Sequence, residues 1–258
     1  MKQAINITKV ETTGEIKIEE NFVPQEVPIT VSVNQREIVT FLCTPTHLKE
    51  LATGYLIGEG LLSQTVEISG VFVDEKCGTV NINTDCINKT ALETLGKRYL
   101  TSGCGGGTSF YHLMDKKTVK VESQGKFSLG DIISAKVKLQ KASRLYSQTG
   151  SVHACGIFSE DKLLVVREDI GRHNAADKVL GWYYSEGLPP CKKFFVTTGR
   201  LSSEILLKVA KAGIPLIASG TGPTSLAVEL AQELDVTIIG YLKKNRANIY
   251  TCPNRISV

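Results

Sequence analysis

The sequence predicts an α/β chain in two parts: a layered α/β C-terminal domain and a smaller, β-rich α+β N-terminal domain. Two observations carry this. From residue 151 onward, apolar runs of strand length alternate with amphipathic runs of helix length, separated by short polar turns. Before residue 70 the pattern is period-two alternation interrupted by a single helical stretch. The division falls between 110 and 128, and we set the domains at 1–120 and 121–258. A chain of 258 residues that is 42% hydrophobic buries one large core or two modest ones.

Each element has its own signal. Residues 5–40 alternate as strands do, and "ITVSVNQREIVTFLC" (29–43) gives two β-rich runs around a turn at Asn34-Gln35. In "THLKELATGYLIGEGLL", Leu48, Leu51, Ala52 and Tyr55 fall at helical spacing, with Thr46 as N-cap. Short strands are expected over 70–100, then a glycine-rich loop at 103–107. Residues 128–150 predict one long helix ending at Gly150. A hairpin turning at Glu160-Asp161 covers 151–169, and "NAADKVLGWYYSEG" predicts a helix. "FFVTTG" and "PLIAS" are buried strands, each followed by a helix: "SSEILLKVAKAG", with Gly213 as C-cap, and "PTSLAVELAQEL", with Leu226, Leu230 and Leu234 on one face. "VTIIGYL" and "NIYTC" close the chain as strands. Alternation at this rhythm predicts mostly parallel pairing.

Composition excludes several classes. The net charge of +4 gives no case for wholesale nucleic-acid binding. No run reaches the roughly 18 to 20 apolar residues of a membrane span, and the charged start lacks the apolar stretch of a signal peptide. Seven cysteines, an odd number without a regular ladder, fit free thiols in a reducing compartment, so a soluble cytoplasmic protein is expected.

Four stretches carry candidate chemistry. "TSGCGGGTSF" (101–110) sets Cys104 among glycines. Glycine permits close approach, and successive N–H groups form an anion-binding nest that stabilises a thiolate. The bland alternative is a loop with an incidental small residue. Neither a P-loop nor G-x-G-x-x-G fits, since no Gly-Lys-Ser/Thr follows and Thr108 sits where a third glycine belongs. "REDIGRHNAADK" (167–178) gathers charges between a strand and a helix, where α/β sheets present ligand sites. There Arg172 suits a phosphate, and His173 with Asn174 a base or ribose; the alternative is a surface of mutually paired charges. "TTGR" (197–200), with Arg200, and "SGTGPTS" (219–225) repeat the strand–turn–helix logic that offers N–H groups to phosphates. "YLKKNR" (241–246) ends the last core strand with a basic cluster, suited to a pyrophosphate or a guanine unless it is a solvated turn. His153 reads as a hydrogen-bonded structural histidine. A zinc site is disfavoured, because C-x-x-C is absent and the histidines do not cluster.

Along nearly its whole length the chain resembles the formate dehydrogenase accessory family, FdhD/NarQ. The resemblance lies in "EVPITVSVN", "ELATGYLIGEGLL", "GCG", "TGSVHACGIF", "REDIGRHNAADKVLG", "TTGRLSSE", "AGIPLIASGTGPTSLAVELA" and "GYLKKNRANIYTCPNRI". It implies a C-terminal domain similar in fold to cytidine deaminases, a homodimer, and a sulfur carrier. In such a carrier, a cysteine desulfurase passes sulfur to a loop cysteine as a persulfide. The sulfur then goes to the molybdenum (or tungsten) bis(molybdopterin guanine dinucleotide) cofactor, held as bound substrate, before that cofactor enters formate dehydrogenase. The family's persulfide cysteine falls on Cys104, and its cofactor-binding segment on Tyr241, Leu242, Lys243, Lys244, Asn245 and Arg246; Arg172, His173 and Arg200 join them by site logic. One departure stands out: the family usually carries C-x-x-C in this loop, and here Gly107 stands at the second cysteine. A single thiolate suffices to carry sulfur, while the loss of the second keeps open a cofactor chaperone without sulfur chemistry. A zinc deaminase is disfavoured, because Cys155 replaces the glutamate of H-x-E and P-C-x-x-C is missing.

Overall fold

The computed structural model describes residues 1–64, 68–94, 120–122, 125–190 and 192–258. Strands β1 (Lys2–Val10) and β2 (Ile16–Pro24) pair antiparallel as an exposed ribbon. Strands β3 (Val27–Val33), β4 (Arg36–Cys43), β5 (Gly70–Asp74) and β6 (Thr79–Asn83) form a sheet in the order β4-β3-β6-β5. The β3–β4 turn is at Asn34-Gln35, both with positive φ, as a two-residue hairpin requires. Helix α1 (Leu48–Gly58) covers this sheet, so Val31, Val80 and Ile82 pack with Leu51, Leu56 and Leu61 in one buried cluster.

The rest of the chain is built on a six-stranded sheet. Before it come β7 (Phe127–Ser128), which pairs with the last strand, and the helices α3 (Leu129–Ala142) and α4 (Arg144–Thr149); earlier still is α2 (Lys89–Thr94). The sheet strands are β8 (His153–Ser159), β9 (Lys162–Asp169), β10 (Lys193–Thr197), β11 (Leu216–Ser219), β12 (Thr237–Lys243) and β13 (Arg246–Ile249), ordered β13-β12-β11-β10-β8-β9. Helices α5 (Arg172–Ser185), α6 (Ser203–Lys211) and α7 (Ser225–Glu233) bury one face, and α3 buries the other through Ile132, Ala135 and Leu139. The result is a three-layer mixed α/β arrangement. β14 (Ile256–Ser257) closes the chain beside β7. Among the described residues no helix is long and apolar enough to cross a bilayer.

Four local expectations are corrected. Pairing is mixed: within the six-stranded sheet only β10–β11 and β11–β12 are parallel, whereas β8 runs antiparallel to both its neighbours and β13 returns antiparallel along β12. The hairpin turns at β8–β9 and β12–β13 impose this, since tight turns join only antiparallel strands. The helix over 128–150 is broken at Ser143, whose hydroxyl bonds back to the Leu139 carbonyl at 2.6 Å and whose ψ of 82° leaves the helical region. The second piece starts afresh with the Leu145 and Tyr146 N–H groups on the Glu168 carboxylate, and Gly150 ends it in the left-handed conformation. His47, at φ 54°, precedes α1 in place of a Thr46 cap, because the Thr46 hydroxyl lies 3.5 Å from that of Thr44. Residues 89–94 form a helical turn where strands were expected.

The two sheets are joined by α1 against α5. The crossing is closed enough to need glycine on both sides. A Cβ at Gly54 would lie 1.9 Å from the Asp177 carbonyl oxygen, and one at Gly181 would lie 1.9 Å from that of Glu50. Polar links reinforce the contact: Arg167 bonds Glu50 at 2.7 Å, and the buried Lys208 ammonium sits 2.7 Å from Asp177 and 3.3 Å from Glu59. Burial works against the charge on Lys208, but Asp177 and Glu59 outweigh it and hold its pKa above the ordinary lysine value.

Alanine at Gly181 gains roughly 1 kcal/mol of helix propensity, yet the backbone overlap must force the helices apart. Chemical denaturation of Gly181→Ala is therefore expected to show a net loss of at least about 2 kcal/mol. A variant as stable as the parent would mean the helices do not cross at this distance.

Candidate functional site

The carboxyl ends of β9, β10, β11 and β12 lie along one edge of the large sheet, and β8 begins there with His153. α5, α6 and α7 open from that edge, so three helix N-termini face the same margin. Thr224 caps α7 with its side chain, whereas the N-cap residues of α5 and α6, Gly171 and Ser202, make no side-chain cap bond. The turns are laced together. The Gly199 carbonyl accepts from Ser219 Oγ at 2.7 Å and from Thr221 Oγ1 at 2.8 Å, and the Thr221 carbonyl accepts from the Tyr241 N–H at 3.0 Å.

The turn carrying Arg172 and His173 is fixed from below by Asp169, the last residue of β9. This carboxylate is fully buried and takes five donors. Oδ1 accepts from the Gly171 N–H at 2.9 Å and from Asn174 Nδ2 at 3.0 Å. Oδ2 accepts from the Thr44 N–H and hydroxyl, each at 3.0 Å, and from Lys178 Nζ at 2.6 Å. Thr44 follows β4, so one side chain ties the N-terminal sheet, the 170–174 turn and α5 to a single point. A buried charge needs that full set of partners.

Gly199 lies against the resulting cluster. A Cβ there would be 3.2 Å from Arg172 Cβ and 3.6 Å from His153 Nδ1. His153 is therefore a member of the edge, half-buried beside Arg172 where a buried histidine was expected. Burial, then Arg172 and His173, hold its pKa below the ordinary 6.5. His173 Nε2 lies 2.9 Å from Glu204 Oε2 and 3.4 Å from Ser202 Oγ. Both side chains of the His173–Glu204 pair are mostly buried, at 16% and 17% exposed, and Glu204 Oε1 has no hydrogen-bond partner among the described residues. Arg200 is exposed at the same turn.

At the far end of the edge, Tyr241 adopts φ 50° where the β12–β13 register shifts, and its ring lies over Gly222, where a Cβ would meet the hydroxyl at 2.7 Å. Lys243, Lys244, Asn245 and Arg246 form an exposed basic hairpin tip. Leu242 points the other way, fully buried in the sheet core, and its carbonyl accepts from Lys136 Nζ. Arg172, His173 and Tyr241 thus share one margin through the laced turns. Cys104 and Gly107 lie outside the described residues. Sequence reasoning did not pick out Glu204, Ser202 or Thr44: a serine and a carboxylate at a helix start read as ordinary capping, and Thr44 meets Asp169 only across 125 residues.

Every shift resolved for a described cysteine raises its pKa and so disfavours the thiolate. Burial pushes Cys43 and Cys155 up to about 12. Cys77 is raised by its bond to Asp74, and Cys252 by burial and Asp235.

The FdhD/NarQ family model matches residues 24–257. A protein of Shouchella clausii named sulfur carrier protein FdhD is 39% identical over 240 residues, 92% of this chain and 90% of its own length. A Bacillus subtilis protein of the same name is 39% identical over 94% of this chain and 93% of its own. A Desulfotalea psychrophila crystal structure, solved as that of a candidate formate dehydrogenase accessory protein, superposes with a TM-score of 0.82 at 28% identity, covering 99% of each chain.

The lowered pKa of His153 has a sign. Below pH 6.5 the unfolded chain binds a proton that the folded chain resists, so stability falls as pH falls. Denaturation at about pH 7 and about pH 5.5 is expected to show a smaller drop for His153→Asn than for the parent; equal drops would mean that His153 charges freely in the fold.

Proposed function

This chain belongs to the FdhD/NarQ family, and on that footing we propose that it is a sulfur carrier serving formate dehydrogenase. The observation that carries the reading is the near full-length match to relatives named sulfur carrier proteins. Cys104 receives sulfur as a persulfide from a cysteine desulfurase. Its thiolate attacks the outer sulfur of the donor's persulfide. An S–S bond forms at Cys104 as the donor's S–S bond breaks and the donor cysteine leaves as thiolate, so sulfur moves without net oxidation or reduction. Four of the other thiols, Cys43, Cys77, Cys155 and Cys252, have raised pKa values that disfavour the attacking form, which supports this; Cys86 is a further exposed thiol.

The acceptor in this reading is the molybdenum bis(molybdopterin guanine dinucleotide) cofactor, bound as substrate before it enters formate dehydrogenase. The chemistry of the edge fits an anionic dinucleotide. Arg200, Lys243, Lys244 and Arg246 are exposed cations, and the N-cap residues of α5 and α6 make no side-chain cap bond. Arg172 and His173 open α5 on the same edge. Tyr241 is 48% exposed, while Asn245 adds a hydrogen-bonding tip and Leu242 contributes backbone alone.

The test is a mass measurement after incubation with a cysteine desulfurase and free cysteine. The parent is expected to gain one sulfur atom and Cys104→Ala none. Equal gain by both would remove Cys104 from the reaction. Restored formate dehydrogenase activity in a strain lacking the native protein, given only Cys104→Ser, would instead favour a cofactor chaperone without sulfur chemistry.

A further inference from the structure

The His173–Glu204 contact joins two helix starts that have no sequence proximity, and its chemistry is asymmetric. An ionised carboxylate only accepts, so the partner nitrogen, Nε2 of His173, is the one that carries the proton. Ser202 Oγ, at 3.4 Å from the same nitrogen, is a second and longer acceptor. In the neutral ring the lone pair then belongs to Nδ1, which no described residue hydrogen-bonds. The pair is mostly buried, so this orientation is not averaged by solvent. Around it stand Arg172 and His153, packed on Gly199.

From this geometry we propose that Glu204 is a positioning residue: it holds His173 in the Nε2–H tautomer, so that Nδ1 serves as the proton acceptor of the strand-end edge. The proton comes from an acidic group brought to the edge. On the sulfur-carrier reading, on which this step rests, that group is a thiol: the S–H bond breaks, its electron pair stays on sulfur as thiolate, and the proton moves to Nδ1 to give an imidazolium stabilised by Glu204. The same buried carboxylate that fixes the tautomer thus offsets the charge that the transfer creates.

The experiment has two readouts on the full chain. Nitrogen chemical shifts of His173 report the tautomer without any substrate. The parent is expected to show protonated Nε2 and bare Nδ1, and Glu204→Gln, whose amide also donates, a mixture of tautomers, with Glu204→Asp restoring the parental pattern in part. Single-turnover sulfur loading from a desulfurase is expected to slow by about tenfold to a hundredfold in Glu204→Gln and to recover partly in Glu204→Asp, with unfolding midpoints checking that each variant folds. A parental tautomer in Glu204→Gln, or loading at the parental rate, would overturn the assignment. Parental protein that takes up no sulfur, while its His173 still shows the predicted tautomer, would count against the carrier reading and not against the role of Glu204 in holding the ring.

Discussion

Asp169 is the constraint on which the rest of the architecture hangs. A fully buried carboxylate is stable only with its lone pairs occupied, and this one draws its five donors from three places: the segment after β4, the 170–174 turn, and the second turn of α5. None of the three has a free choice of position once the charge is satisfied. The turn that carries Arg172 and His173 is therefore set by the same interaction that anchors the N-terminal sheet.

That anchoring explains the unusual polarity of the contact between the sheets. Two glycines let α1 and α5 approach to backbone distance, and a half-buried ion pair at Arg167–Glu50 and a buried one at Lys208–Asp177 flank the crossing. A buried ion pair such as Lys208–Asp177 is weak evidence of net stability, because desolvation offsets its attraction. The crossing itself keeps the strand-end edge assembled, with its cations, its two half-buried histidines and one carboxylate on a common margin.

Much of this was legible in the sequence, for physical reasons that differ by element. The β10–α6–β11–α7–β12 run was readable because each strand is a short apolar block and each helix starts on serine or threonine. The broken helix at Ser143 was not, because the break comes from a serine bonding back to Leu139 and a carboxylate, Glu168, supplied from β9. Arg172, His173 and Tyr241 were found by their position after strands, a local signal. Glu204, Ser202 and Thr44 were missed because their roles depend on contacts across 31, 29 and 125 residues, and nothing local separates them from ordinary caps. The place of His153 on the edge was hidden for a related reason: a strand-start histidine gives no local sign of the Gly199 and Arg172 that lie beside it.

The strand-end edge is assembled around the 170–174 turn, and its geometry requires that Asp169 hold that turn against the N-terminal sheet. Hydrogen exchange on Asp169→Asn tests this most directly. Asparagine keeps the shape but removes the charge and turns one acceptor into a donor. If Asp169 is the common anchor, the amides of Thr44 and Gly171 lose protection together, while those of β10 and β11 keep theirs. Loss at Gly171 with Thr44 unchanged would show that the turn and the N-terminal sheet are held independently, and would contradict the account.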